Sequence, residues 1–242
     1  MTELLTSPAE PAAHPPVQRE VTLAARRPVG AYVELVLDAP EVAERARPGQ
    51  FVAFAVGGPT SGMLLRRSIA ISGATDGRVS VVVAAHGPGS TWLTERRPGD
   101  VVDVVGPLGR PYPLPAPGSS ALLVGGGYGA AALVGLAGLL RDRGCTVTSV
   151  AGAATADRLC SVDELGALGD AHVLTDDGSA GRRGLVTLAV GELLPAADVA
   201  YACGPMPMLR AVAGAATAAG VPSYVAVEEA MAEVAGRHGV SI

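Results

Sequence analysis

ALLVGGGYGAAALVGLAGLLRDRGCTVTSV, residues 121–150, is the stretch that decides the fold class. A short apolar run enters three consecutive glycines, and the chain passes directly into a second apolar stretch of helical pattern that Gly144 terminates. A β-rich run, CTVTSV, follows. Strand, glycine turn, helix and strand in that order argue for a parallel sheet covered by helices. Glycines at such a turn let the chain reverse sharply and let a ligand's phosphates approach the backbone at the helix start. Gly125, Gly127 and Ala130 match a dinucleotide fingerprint loosely, although no Asp or Glu ends the next strand to meet a ribose. Tight packing alone would also account for these glycines.

Downstream the alternation continues. CTVTSVAGAA (145–154), AHVLTDDG (171–178), ADVAYACGP (197–205) and PSYVAVEEAM (222–231) are expected to hold strands, and SVDELGAL (161–168) and MPMLRAVAGAATAAG (206–220) helices. This half reads as a doubly wound parallel α/β domain, residues 116–232. Upstream, short β-rich runs are separated by turn residues: VQREVTLAA, AYVELVLDA, GQFVAFAVG, RRSIAISGA, RVSVVVAAH and DVVDVVGPL. They point to an antiparallel β-barrel or sandwich over residues 17–115. One short helix is expected in TWLTERRPGD, from Ser90 or Thr91 to Pro98-Gly99. RPYPLPAPGSS (110–120), with four prolines, marks the boundary. Residues 1–16 read as a disordered tail and 233–242 as a short tail without cysteines.

Composition excludes several classes. Of 242 residues 49% are hydrophobic but only 3% aromatic, so the cores must be built from small aliphatic side chains. Gly and Pro number 32 and 19 without a G-X-Y period, which excludes collagen. All 18 cations are Arg; with no Lys and no Asn, Schiff-base lysine chemistry, a phosphate-loop lysine and N-glycosylation are excluded. The net charge is −5 with no basic stripe, so nucleic acid is not an expected partner. The N-terminus has no signal-peptide pattern and no long uninterrupted apolar run occurs, so a cytoplasmic location without a membrane span is expected. Cys145, Cys160 and Cys203 form no CxxC pair and suggest no disulfide framework.

Other segments carry candidate chemistry. CGPMPM (203–208) ends one strand and opens a helix, so Cys203 and Gly204 should face the same crevice as Gly125–Gly127; a small buried cysteine at a plain helix start is the alternative. TDDGS (175–179) could hold ribose hydroxyls or form an ordinary turn. In LLRRSIAIS (64–72), Arg67 could clamp a pyrophosphate, or simply occupy a solvated strand edge. HGPGSTWL (86–93) is a glycine turn opening a helix, suited to a phosphate or to a simple N-cap at Ser90 or Thr91.

The order of these segments is more specific than any one of them. PGQF (48–51), LLRRSIAIS, GPGSTWL, GPLG (106–109), LLVGGGYGAAAL, TDDGSAGRRG (175–184), CGPMPML and EEAM (228–231) run from about residue 17 to 232. In that order the chain resembles the ferredoxin reductase-like flavoproteins, and within them the electron-transfer subunits of NAD-linked dihydroorotate dehydrogenases. The resemblance implies an oxidoreductase of pyrimidine biosynthesis with an FAD-binding barrel and an NAD-binding domain. By the same resemblance it would take NAD(P)H as substrate and pass electrons to a flavin-dependent dehydrogenase catalytic subunit in a hetero-oligomer. It implies that Arg67, Ser68, Ile69 and Ala70 stand in the flavin motif and Val82, Val83 and Ala84 in the next flavin-contacting strand. Gly89 and Ser90 would form the phosphate-binding helix start. Gly125, Gly126, Gly127, Gly204 and Pro205 would form the dinucleotide site, with Cys203 placing the nicotinamide.

Two departures bear on function. Ala70 replaces the family's serine, a loss of about 1 kcal/mol for one hydrogen bond. No cysteine follows Cys203 where the family carries four ligands for a [2Fe-2S] cluster, so no cluster is expected. A stand-alone NAD(P)H:flavin or quinone-type reductase, and a non-catalytic assembly subunit that keeps the fold, are the alternatives.

Overall fold

The computed structural model describes residues 15–58 and 61–226. The expectations for residues 1–14, for EEAM and for 233–242 lie outside these residues.

Six strands, β1 (Val17–Val29), β2 (Tyr32–Asp38), β3 (Phe51–Phe54), β4 (Arg67–Thr75), β5 (Arg78–Val83) and β6 (Val101–Leu108), close into an antiparallel barrel of order β1-β2-β5-β4-β3-β6. Period-two alternation turns one face of each strand inward: Leu35 and Leu37, Val79, Val81 and Val83, Val102 and Val104 fill the barrel with Phe54 and Leu93. Two helices belong to this half. α1 (Pro40–Arg45) was not expected; six residues are too few for a periodic signal, and Pro40 in the first turn with Arg45 in the last stabilises its ends. α2 (Pro88–Thr94) starts earlier than the sequence suggests. Pro88 is pre-set for a first helical turn, and Ser90, expected as an N-cap, lies inside the helix.

The second half is a six-stranded sheet of order β10-β9-β8-β7-β11-β12, with every neighbouring pair parallel. Its strands are β7 (Ser120–Gly126), β8 (Thr146–Ala153), β9 (Asp170–Thr175), β10 (Arg182–Arg183), β11 (Val199–Cys203) and β12 (Ser223–Ala226). α3 (Ala131–Asp142) and α4 (Val162–Gly166) cover one face, where Leu133, Leu136, Leu140 and Leu165 meet Leu123 and Tyr201. α5 (Val186–Leu193) and α6 (Met206–Ala219) cover the other, where Val190 and Val212 meet Leu122, Val124 and Ala202. Successive β7 and β11 residues therefore alternate between two cores, which is why both strands are continuously apolar. α5 has no counterpart in the sequence reading: its Val, Thr and Leu content favours strand, and burial of Val186, Ala189 and Val190 overrides that preference. The helix after the glycine turn begins with a 3₁₀ turn at Gly127–Ala130 rather than directly at Tyr128.

The proline-rich boundary is attached to both halves. Tyr112 N donates to Pro48 O at 2.9 Å and Gln50 Nε2 to Gly109 O at 3.1 Å on the barrel side. Tyr201 Oη donates to Pro113 O at 2.7 Å, and the Tyr112 and Tyr201 rings meet edge-on at 5.3 Å.

Entry into β4 is held by Arg66, whose Nη2 and Nη1 donate to Asp103 Oδ2 and Oδ1 at 2.8 and 3.1 Å. Gln18 Nε2 also donates to Asp103 Oδ2, at 2.9 Å. The Arg66 guanidinium and the Gln18 amide hold the Asp103 carboxyl below its ordinary value. A depressed carboxylate pKa contributes stability above the unfolded value and loses it as pH falls through the folded one. Asp103→Asn should lower the unfolding free energy by about 1 kcal/mol at pH 7. In urea melts the gap should close as pH falls below about 4, where an unfolded aspartate protonates.

Candidate active site

β4 and β5 turn their outer faces toward the second half. Ser68, Ile69, Ala70 and Ser72 of β4, with Val82 and Ala84 on and just after β5, form one wall of a cavity of about 140 Å³. Tyr128 of the 3₁₀ turn and Ala131 and Ala132 at the start of α3 form the facing wall. A larger cavity, about 620 Å³, follows the C-terminal edge of the parallel sheet past Gly126, Gly127, Gly152, Asp176, Gly204 and Pro205. The two cavities share His86, Tyr128, Gly129 and Cys203. β7 and β11 are neighbours whose following helices cover opposite faces, so this edge is the switch point where α/β sheets collect ligands. Another depression of about 640 Å³ beside Arg26, Arg96 and Asp100 lies on the open barrel surface. There Arg96 already pairs with Asp100 at 3.4 Å and stacks over Trp92 at 4.2 Å.

Close approach explains the glycines. A Cβ on Gly125 would lie 2.5 Å from Ala130 Cβ, and one on Gly129 would lie 2.5 Å from the Cys203 carbonyl oxygen. One on Gly126 would lie 2.7 Å from Met208 Sδ. Gly127 has φ +55°, in the left-handed region that L side chains rarely adopt. Gly126, Gly127, Gly204 and Pro205 border the larger cavity, whereas Gly125 packs against the turn and is not part of its lining.

The barrel-side candidates divide likewise. Ser68, Ile69, Ala70, Val82 and Ala84 line the smaller cavity, but Val83 points into the barrel core and is 1% exposed. The Val83 side chain is thus a packing element, as strand alternation requires. Arg67 lies outside the lining and folds over the start of α2, where its Nη1 donates to Leu65 O. Gly89 leaves the space for it: a Cβ there would be 2.5 Å from Arg67 Nε. Ser90 Oγ accepts from the backbone N–H of His86 and Gly87 at 2.9 and 3.1 Å, so its hydroxyl is engaged in shaping the turn. In TDDGS, Asp176 borders the larger cavity. Asp177 Oδ1 accepts from Ser179 N at 2.9 Å and Oγ at 2.6 Å, and these bonds hold its carboxyl below the ordinary range.

Several lining residues escaped the sequence reading, Tyr128, Ser72, Tyr32 and His86 among them. Tyr128 meets Tyr32 edge-on at 5.4 Å and His86 at 6.0 Å, and Tyr32 Oη donates to Arg158 O at 3.1 Å. A lone aromatic among small residues at Tyr128 was the available signal. Ser72 follows Ser68 and Ala70 at strand spacing, so the period of β4 could have found it. Tyr32 packs with Val82, Ala84, Ala131 and Cys160 between the two halves. Burial pushes up both the Tyr32 phenol and the Cys160 thiol, which keeps them neutral at physiological pH. The arrangement presents a narrow apolar slot continuous with a glycine-rimmed groove.

No family model matches the chain. The electron transfer subunit of dihydroorotate dehydrogenase B (NAD(+)) from Bacillus caldolyticus is 42% identical over 202 residues, spanning 82% of this chain and 77% of that protein. The homolog of that subunit from Thermotoga maritima is 36% identical over 206 residues, spanning 84% and 72%. Among solved structures, an NADH-dependent reduced ferredoxin-NADP oxidoreductase studied for flavin-based electron bifurcation has a TM-score of 0.78 at 31% identity, covering 88% of this chain and 78% of its own. A ferredoxin reductase of carbazole 1,9a-dioxygenase shares the fold with a TM-score of 0.74 at 23% identity, covering 89% and 71%.

Gly129→Ala should force the Cys203 backbone to shift and cost about 2 kcal/mol in denaturant melts. Gly138→Ala, in α3 with nothing within 4 Å of the new Cβ, should instead stabilise by up to about 1 kcal/mol.

Proposed function

The chain belongs to the family of dihydroorotate dehydrogenase B electron transfer subunits, and from that membership we propose that it carries electrons between NAD(H) and a partner catalytic subunit that oxidises dihydroorotate. The observation that carries the reading is the shared wall of the two cavities at Tyr128, Gly129 and Cys203. It allows one flat ring held on the barrel and another held on the sheet to approach each other.

The lining of the smaller cavity fits a flavin. Val82, Ala84, Ala131 and Ala132 offer small apolar walls for a flat ring. When bound, FAD supplies two-electron exchange with the nicotinamide and release of electrons to an acceptor. Ser68, Ile69 and Ala70, with Val82 and Ala84, would lie along the ring, while Arg67 would turn from the Leu65 carbonyl to the pyrophosphate as a charge-assisted donor. Gly126, Gly127, Gly204 and Pro205 would admit the dinucleotide close to the backbone. Cys203 would set the position of the nicotinamide through its bulk, and Tyr32, Tyr128 and the apolar walls exclude water. FAD-barrel and NAD-sheet domains at 17–115 and 116–232, and a cytoplasmic location, belong to the same proposal. No helix of the described residues is long and apolar enough to cross a membrane.

The three thiols are buried at separate places, and no group of three or more possible metal ligands occurs among the described residues. We propose that these 242 residues hold no [2Fe-2S] cluster.

The purified chain should show a flavin spectrum with FAD and no stoichiometric iron; a colourless protein without affinity for added FAD would refute the reading. Arg67→Ala should weaken FAD binding by about 1.5–3 kcal/mol in a fluorescence titration. Cys203→Ala should keep FAD yet slow its reduction by NADH in stopped flow, and equal rates would remove Cys203 from the reaction.

A further inference from the structure

We propose, building on the NAD(H) reading above, that Asp176 selects the dinucleotide: its carboxylate accepts from the adenosine ribose hydroxyls of NAD(H) and repels the 2′-phosphate of NADP(H).

The end of β8, where an acid for a ribose is commonly found, reads Gly152-Ala153-Ala154 and carries none. The fold supplies one from the neighbouring strand. β9 runs parallel to β8 in the register Ala153↔Thr175, and Asp176 N donates to Ala153 O at 3.1 Å. Asp176 thus stands beside the position that lacks an acid, at the same edge of the sheet. Gly152, Ala153, Ala154 and Asp176 all border the larger cavity. The small residues leave room for a sugar over the end of β8, and Asp176 bounds that room on the side away from the glycine turn of β7.

The turn that carries Asp176 is pinned around it. Thr175 is fully buried; its Oγ1 donates to Ala180 O at 2.8 Å and accepts from Ala180 N at 3.0 Å. Ser179 Oγ accepts from Ala156 N at 2.8 Å. Asp157 and Asp177, the nearby carboxylates, are engaged: Asp157 accepts from Thr155 Oγ1, and Asp177 from Ser179. The exposed Asp176 carboxylate has no hydrogen-bond or ion-pair partner among the described residues. An ionised carboxylate only accepts, which suits a ribose diol with two hydroxyls to donate. A phosphate dianion has no proton to offer and adds like charge.

The other side chain of fixed charge in this lining is Arg158. Its carbonyl oxygen accepts from Tyr32 Oη at 3.1 Å and would lie 3.9 Å from a Cβ on Gly127, which puts the Arg158 backbone beside the glycine turn. The cation therefore belongs to the pyrophosphate end of the groove and the anion to the ribose end.

The test is calorimetric titration of the purified chain, wild type and Asp176→Asn, with NAD+ and with NADP+. Wild type should prefer NAD+ by at least about tenfold, and the ratio of the two affinities should fall about tenfold in the variant, as loss of a charge-assisted contact requires. A ratio taken on one preparation is not changed by a misfolded fraction. A wild type that binds NADP+ as tightly as NAD+, or a variant that keeps the wild-type ratio, would overturn the role of Asp176 and leave the NAD(H) reading intact. Arg158→Gln should weaken both dinucleotides by the same factor; a loss confined to NADP+ would assign the 2′-phosphate to Arg158 and overturn the proposal as well. A wild type that binds neither dinucleotide would instead remove the reading on which the role of Asp176 stands.

Discussion

The close contact between two turns, β7 to α3 and β11 to α6, is the constraint on which the rest of the molecule depends. At Gly129 the backbone meets the Cys203 carbonyl so closely that no Cβ fits, and Gly126 leaves the room that Pro205 and Met208 occupy. Any side chain at these positions would push the two turns apart and open the sheet edge. With the turns together, the switch point becomes a groove whose rim is backbone, able to meet a charged, flexible ligand without steric interference. One absence of side chains thus determines where the sheet can bind and how near the barrel its ligand must come.

The barrel meets that edge with small residues. Ala70, Val82 and Ala84 face Ala131 and Ala132 across a narrow space, and bulkier side chains on either surface would fill it. The low aromatic content, read from the sequence as a property of the cores, is here a property of the interface too. Four tyrosines stand at its margins. Tyr32 and Tyr128 meet on one side, and Tyr112 and Tyr201 on the other. The Tyr32, Tyr112 and Tyr201 hydroxyls donate to the Arg158, Ala202 and Pro113 carbonyls, which satisfies a polar end while burying a large apolar ring.

Much of this was legible in the amino-acid order, and the failures have physical causes. The six barrel strands and most of the sheet strands announced themselves through alternation, continuous apolar runs and turn residues. α5 did not, because Val186, Thr187 and Val190 prefer strand as individuals and become helical only when the sheet offers them a face. α1 was too short to leave a period. At the site, the glycine turns were visible as motifs, yet Gly125, which packs against Ala130, and Gly126, which meets Pro205 and Met208 and borders the cavity, are told apart only by the neighbours that the fold brings to them. Val83 was grouped with its neighbours by resemblance, although strand alternation alone already assigned it to the opposite face. Tyr128, His86 and Tyr32 converge from separate segments, and only the three-dimensional meeting of barrel and sheet gives them a common place.

The proline-rich segment between the halves has a further consequence. It reads as a linker, but Tyr112 N donates to Pro48 O in the barrel half and the Tyr112 ring meets Tyr201 of the sheet edge-on, while Pro113 O accepts the Tyr201 hydroxyl. Proline has little backbone freedom to lose on ordering, so such a strap is held at small entropic cost. Ala31 N adds a second tie, donating to Asp157 O at 2.7 Å from the barrel to the sheet half. Heat or denaturant that loosens the centre of the sheet at Tyr201 therefore also releases an anchor of the barrel, so these ties couple the unfolding of the two halves.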